Sequence, residues 1–228
     1  MNVLKYKDIS YVLKLSDRKT ISIYVEPNGQ VKILAPQGIT SNKLKDILEI
    51  KSYWIYKSLA ELSALNKNKT KRELVDGEGF LFLGKSYRLK IDKNLNKPLF
   101  LGDDYFYLDE KHISKAKNLF INFYKDKGLN YIPERICFFE KKMGVSSKPI
   151  RLMELKNRWA SCSEKHLNFH WKTMLAPPTV VDYVLVHELS HLIEPKHNKA
   201  FWSIIESVMP DYTERKEWLR INGANLDI

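Results

Sequence analysis

The chain of 228 residues is long enough for one large domain or two small ones, each with its own core. Its two cysteines, Cys137 and Cys162, are too few for a disulfide framework, no apolar run approaches a membrane span, and the charged N-terminus lacks the apolar stretch of a signal peptide, so a cytoplasmic protein is expected. Lys plus Arg outnumber Asp plus Glu by 38 to 27, and the resulting charge of +11 excludes a preference for cationic partners while leaving nucleotide or DNA contact open.

From Ile9 to Leu34 apolar and polar residues alternate, which predicts a β-meander whose strands Thr20 to Val25 and Val31 to Leu34 turn about Pro27-Asn28-Gly29. Thr40 or Ser41 is placed to cap a helix in which Leu44, Ile47, Leu48, Ile55, Leu59 and Leu62 recur at helical spacing, ending near Leu65. Lys67 to Arg72 reads as a solvated basic linker. Phe80 to Ile91 predicts a second hairpin turning near Gly84-Lys85, and Leu99 to Leu108 a strand pair about Gly102-Asp103-Asp104. The aromatic side chains of these strands are expected to pack against a core rather than to stack on bases. No internal repeat is evident.

Between His112 and Met143 the period becomes helical, with Gly128 and Pro133 predicting two helices or one bent one behind the next helix. Lys148 to Leu155 and His166 to Trp171 read as a strand and its returning partner about a loop, Asn157 to Lys165. His166 and His170 alternate on that strand as ordinary strand residues. Ala176-Pro177-Pro178-Thr179 introduces a helix, since proline suits the first helical turn. Asn198 is placed to cap a helix bearing Phe201, Trp202, Ile204, Ile205 and Val208, and a last helix runs from about Asp211 to Asn222-Gly223.

The chemistry concentrates at His187-Glu188-Leu189-Ser190-His191. Helical residues four apart share a face, so His187 and His191 can aim two imidazoles at one ion, with Glu188 beside them. The preceding Val180 to Val186 stretch is too apolar for a surface helix, and buried imidazoles need partners that a metal supplies together. A catalytic zinc takes three protein ligands and leaves one position open. The third is His197, brought back by a turn after Ile193 ahead of Glu194-Pro195, or alternatively a carboxylate from the later helix, Glu206. Three neutral imidazoles leave Zn2+ its full charge to acidify a water, and Glu188 is placed as the general base. Arg158, Tyr212 or backbone amides of Arg158 to Ser163 are the candidate oxyanion donors, with a structural clamp as the competing role for Arg158 and Trp159. The edge of the strand pair around Ile150 to Leu155 and Leu167 to Trp171 offers a place for an extended peptide.

Arg158-Trp159-Ala160-Ser161-Cys162-Ser163, Leu175-Ala176-Pro177-Pro178, Asp182-Tyr183-Val184, His187 to His197, Phe201-Trp202 and Pro210-Asp211-Tyr212 together resemble the YgjP-like metallopeptidase family, related to SprT-like and WLM zinc proteases. Arg18 to Ile23 and Asp76-Gly77-Glu78 fit as well, and Ala160 stands where the family usually has glycine. The resemblance implies an α+β, zincin-like catalytic domain, expected over 111–228 and preceded by a β-rich region with one helix over 1–110. It also implies His197 as third zinc ligand and a peptide or protein substrate. The family's connection with nucleoside triphosphate pyrophosphohydrolysis, and the DNA-associated proteases among its relatives, supply the alternatives.

Overall fold

The computed structural model describes residues 3–26, 28–66, 72–156, 158–163 and 165–228, so nearly all of the expected basic linker, and Pro27 of the first turn, lie outside the described residues. The chain divides into two compact units, Met1–Lys69 and Thr70–Ile228. Among the described residues no helix is long and apolar enough to cross a membrane.

The first unit is a four-stranded sheet, β1 (Val3–Tyr6), β2 (Ile9–Ser16), β3 (Ser22–Val25) and β4 (Val31–Pro36), followed by α1 (Ser41–Asn66). Thr40 contributes to the cap of α1, its Oγ1 accepting from the Lys43 N–H at 3.4 Å. The β3–β4 hairpin forms as the Asn-Gly pair predicts, but the meander does not. Strand order is β1-β2-β4-β3, with β2 and β4 parallel at the centre, each carrying its own antiparallel partner outside. Alternation along one strand reports which face is buried and says nothing about the neighbour, so the crossover was invisible to it. Val31 and Ile33 of β4 bury their side chains with Leu44, Leu48 and Ile55 of α1.

The second unit opens on the same plan. Strands β5 (Gly79–Phe82), β6 (Lys85–Asp92), β7 (Leu99–Leu101) and β8 (Tyr105–Asp109) form a sheet of order β5-β6-β8-β7, again with its inner pair parallel, and lead into α2 (Ala116–Met143). The two first hairpins share one register: Tyr6 pairs with Ile9 and Val3 with Val12, as Phe82 pairs with Lys85 and Gly79 with Arg88. Placed on that register, Ser10-Tyr11-Val12-Leu13-Lys14-Leu15 lies over Ser86-Tyr87-Arg88-Leu89-Lys90-Ile91. The repeat that goes unnoticed along the sequence is thus a four-strand-and-helix module used twice.

This module explains where the chain divides. The β-rich region expected to end at residue 110 is split, because β5 to β8 bury Phe80 and Phe106 against Phe120 of α2, with ring centroids 4.4 Å apart for Phe80–Phe120 and 5.0 Å for Phe106–Phe120. Helix α2 is a single helix with Pro133 inside it. Gly128 is a close approach rather than a break: a Cβ there would come within 2.1 Å of the Leu152 side chain. At the β5–β6 turn Leu83 and Gly84 have φ of 47° and 77°, and their N–H groups donate to Met174 and Leu175 carbonyls at 2.8 and 3.2 Å. The turn thereby anchors the segment that starts the next helix, and a side chain at Gly84 would strike Pro177.

Beyond α2, β9 (Ile150–Met153), β10 (Ala160–Cys162) and β11 (Leu167–His170) form a sheet of order β10-β11-β9, followed by α3 (Pro178–Ser190), α4 (Lys199–Val208) and α5 (Tyr212–Asn222). The expected Asn157–Lys165 loop therefore contains a strand. Because β10 is the antiparallel return, β9 and β11 run parallel rather than as strand and returning partner. Ala160 fits a regular strand position opposite Phe169.

His170, at the end of β11, is buried and caps the turn that follows, its Nδ1 accepting from the Lys172 N–H at 3.1 Å while Nε2 faces Glu154 Oε1 at 3.3 Å. Burial, joined by the Lys172 charge, lowers its pKa against the opposing pull of Glu154 and Asp227. The unfolded chain therefore binds more protons at this site below about pH 6.5, and stability falls as pH drops through that value. His170→Asn keeps a capping oxygen and removes the titration. Its urea midpoint should rise less between pH 5 and pH 7.5 than that of the wild type; equal rises would show that His170 carries none of the dependence.

Candidate metal centre

Pro178 starts α3 at the position where a missing N–H costs nothing, and the helix is buried on nearly every side, from Val180 to Ser190. It ends at Ser190, three residues before the expected turn. His191 still has helical angles, φ −67° and ψ −16°, so the four-residue spacing that aligns it with His187 is kept. The Leu192, Ile193 and Glu194 N–H groups then close a tight turn on Leu189 and Ser190 carbonyls. Asp182, about two turns before the end of α3, accepts two hydrogen bonds from Arg135 of α2 at 2.9 and 2.8 Å, tying α3 to the helix behind it.

This turn returns His197 to the helix. The ring centroids of His187, His191 and His197 form a nearly equilateral triangle with sides of 5.0, 4.9 and 4.7 Å. One ligand atom from each lies within 4.8 Å of the others, and the Nε2 atoms of His187 and His197 approach to 3.0 Å. Imidazole nitrogens sharing one ion at bond lengths of about 2 Å need spacings of this order, so the donor set fits a single metal ion. His191 Nδ1 lies 3.3 Å from the Glu194 carbonyl, the contact that fixes a ring's tautomer and leaves its other nitrogen for a ligand bond. Glu206, the alternative ligand, lies exposed on α4 and outside the cluster.

Phe201 is fully buried and packs against all three imidazoles, at 5.0, 4.6 and 4.7 Å between centroids. It reaches them because Asn198 caps α4, accepting from the Phe201 N–H at 3.0 Å, which starts the helix immediately after His197. Burial, with the neighbouring rings, pushes His187 down to about 3. His191 is lowered by the same burial. Both are therefore neutral at pH 7, the form that binds metal.

Glu188 points to the opposite flank, where β10 lies. It is buried, and burial raises its pKa to about 7 against a backbone hydrogen bond from Cys162 and the charge of Arg158, which lower it. Its Oε2 and the Nδ1 of His187 are buried polar atoms without a hydrogen-bond partner among the described residues. A buried carboxylate oxygen left without a protein partner is costly unless a ligand or water completes it.

Of the candidates for oxyanion stabilisation, Tyr212 stacks on Trp202 at 5.7 Å, and Trp202 in turn stacks on His197 at 5.8 Å. Arg158 is exposed and near enough for its charge to act on Glu188. His166, just ahead of β11, and His170, at its end, stay outside the cluster. The packing of Phe201 on the imidazoles, the pairing of Asp182 with Arg135 and the approach of the Cys162 N–H to Glu188 were not expected from sequence, although Phe201, Asp182 and the Arg158 to Ser163 amides were noted there for other reasons. The aromatic pair straight after His197 was the available signal for the first; the others depend on contacts between distant segments.

An α+β chain whose helix end and following turn converge three imidazoles beside a buried carboxylate is built for metal chemistry. The YgjP-like, metallopeptidase domain family matches residues 19–222, and the chain belongs to that family of metallopeptidases. No curated protein matches the chain. Among solved structures it is similar to the metallopeptidase zymogen abylysin of Pyrococcus abyssi, at 22% identity and a TM-score of 0.37, covering 40% of this chain and 92% of that one.

Proposed function

We propose that the protein is a zincin-like zinc metallopeptidase in which His187, His191 and His197 hold the ion and Glu188 is the general base. The observation carrying this reading is the convergence of three imidazoles within 4.8 Å beside a carboxylate whose buried Oε2 has no hydrogen-bond partner among the described residues. When bound, zinc supplies Lewis-acid polarisation of water and of a carbonyl oxygen.

The chain's own residues do the rest. Phe201 walls off the imidazoles from behind and keeps their nitrogens directed to one side. The Cys162 N–H fixes one side of the Glu188 carboxyl, leaving Oε2 to accept the proton of the attacking water and pass it to the departing amine. β10 is the end strand of its sheet and runs beside α3, so an extended substrate pairing with its outer edge would bring a peptide carbonyl to Glu188. This places the peptide on β10, one strand away from the pair expected from sequence.

Elemental analysis of purified protein tests the ligand set. One zinc per chain, lost in His197→Ala and kept in Glu206→Ala, is the expected result, with peptide cleavage abolished by chelation and restored by zinc. Zinc kept in His197→Ala but lost in Glu206→Ala would move the third ligand to α4; no zinc in the wild type after reconstitution would end the reading.

A further inference from the structure

The charge around the site is one-sided. Arg158 precedes β10 by two residues, exposed and within electrostatic reach of Glu188. At the other end of the same strand, Lys148 Nζ donates to the Ser163 carbonyl at 2.8 Å. Across the site Lys216 of α5 holds its ammonium 4.0 Å from the centre of the Trp202 ring, the ring that stacks on His197. None of these three cations has a carboxylate within ion-pair distance among the described residues. Of the acidic residues at α5, Asp211 at its N-cap pairs with Arg215 at 2.8 Å and Glu217 with Arg220 at 2.7 Å, while Glu214 is exposed. On the far side of His191, the Glu194 side chain accepts the Lys196 N–H at 3.1 Å.

An end strand flanked by cations at both ends, with a third beside the clustered histidines, is a surface for an extended chain that carries negative charge. We propose that the enzyme selects peptides with an aspartate or glutamate next to the cleaved bond, held by Arg158 and Lys216. The proposal rests on the metallopeptidase reading and names its substrate class. The strand edge favours a peptide over a nucleotide, since backbone pairing needs amide groups. Lys216 is the sharper discriminator, because Trp202 holds it in place before substrate arrives.

The test is a set of fluorogenic peptides identical except for Glu, Gln or Lys on either side of one bond, cleaved by zinc-loaded wild type, Arg158→Gln, Lys216→Gln and Lys216→Glu. The readout is the ratio of kcat/KM for the Glu peptide to that for the Lys peptide, with zinc content measured in parallel. The expected wild-type ratio is about three- to tenfold, the range of one or two partly exposed ion pairs, carried mainly by KM and shrinking with salt. It should approach one in each Gln variant and invert in Lys216→Glu, with zinc retained. A wild-type ratio of one or below, or a ratio unmoved by the substitutions, overturns the proposal while leaving the peptidase reading intact. Equal loss on all three peptides in Lys216→Gln would assign Lys216 to packing on Trp202 and overturn its part. No cleavage of any peptide, with pyrophosphate released from nucleoside triphosphates instead, would overturn both readings.

Discussion

Glu188→Gln should lower peptide kcat by about 10²- to 10⁴-fold, the contribution typical of a positioned acid–base group, while zinc content stays at the wild-type level. The substitution keeps the side chain's shape and an oxygen for the Cys162 N–H, so only the capacity to take up a proton is lost. Folding stability should hold or rise slightly, because a buried ionisable group is replaced by a neutral one. Burial raises Glu188 to about 7; a cation held by the three histidines would favour its charged form, the one able to accept a proton. Stopped-flow or steady-state cleavage of one peptide, beside metal analysis of the same preparation, checks both halves. A variant that cleaves as fast as wild type would remove Glu188 from the mechanism; one that loses its zinc would recast it as a support of the ligand cluster.

Phe106→Ala should cost about 3–5 kcal/mol, a large share of the 5–15 kcal/mol that typically holds a domain together. The ring is fully buried and lies 5.0 Å from both Phe120 and Phe123, 5.8 Å from Tyr87 and 6.4 Å from Tyr124, so its removal opens a cavity that no single neighbour can fill. Its counterpart in the first module is Ile33, since Leu13 pairs with Ile33 where Leu89 pairs with Phe106. Ile33→Ala should also destabilise, by about 2–5 kcal/mol, but the loss belongs to the first unit. Urea unfolding followed by tryptophan emission separates them. The first unit's tryptophan among the described residues is Trp54, whereas Trp159, Trp171, Trp202 and Trp218 report on the second. A Phe106→Ala unfolding free energy within about 0.5 kcal/mol of wild type, the typical surface-substitution scale, would contradict the packing described.

The elements that sequence reasoning placed well are those whose signals are local. Thr40, Pro178 and Asn198 mark helix starts through their own backbone chemistry, and the His187–His191 spacing is a property of any helix. What it missed depends on which segments become neighbours. The β2–β4 and β6–β8 pairings are parallel crossovers, and the three residues of β10 are too short for a period to show. Gly128 reads as a helix breaker until Leu152 is found against it. The histidine cluster was legible because its three members fall within eleven residues on one helix and turn; the packing of Phe201 on the imidazoles and the Asp182–Arg135 tie were not, because each depends on a contact between segments.

Two hairpins that share register and the Ser-Tyr-x-Leu-Lys core give folding an ambiguity. In the unfolded chain β6 offers β4 almost the same edge as β2 does, and a mispaired sheet would satisfy most backbone groups. The native loop between β2 and β4 is roughly a third the length of the one that mispairing β4 with β6 must close, a difference worth about 1 kcal/mol of closure entropy. Chain order therefore sorts the copies kinetically, with side-chain volume at Ile33 and Phe106 rejecting the exchange afterwards. Synthesis from the N-terminus adds to that bias, since β1 to β4 emerge before the competing hairpin exists.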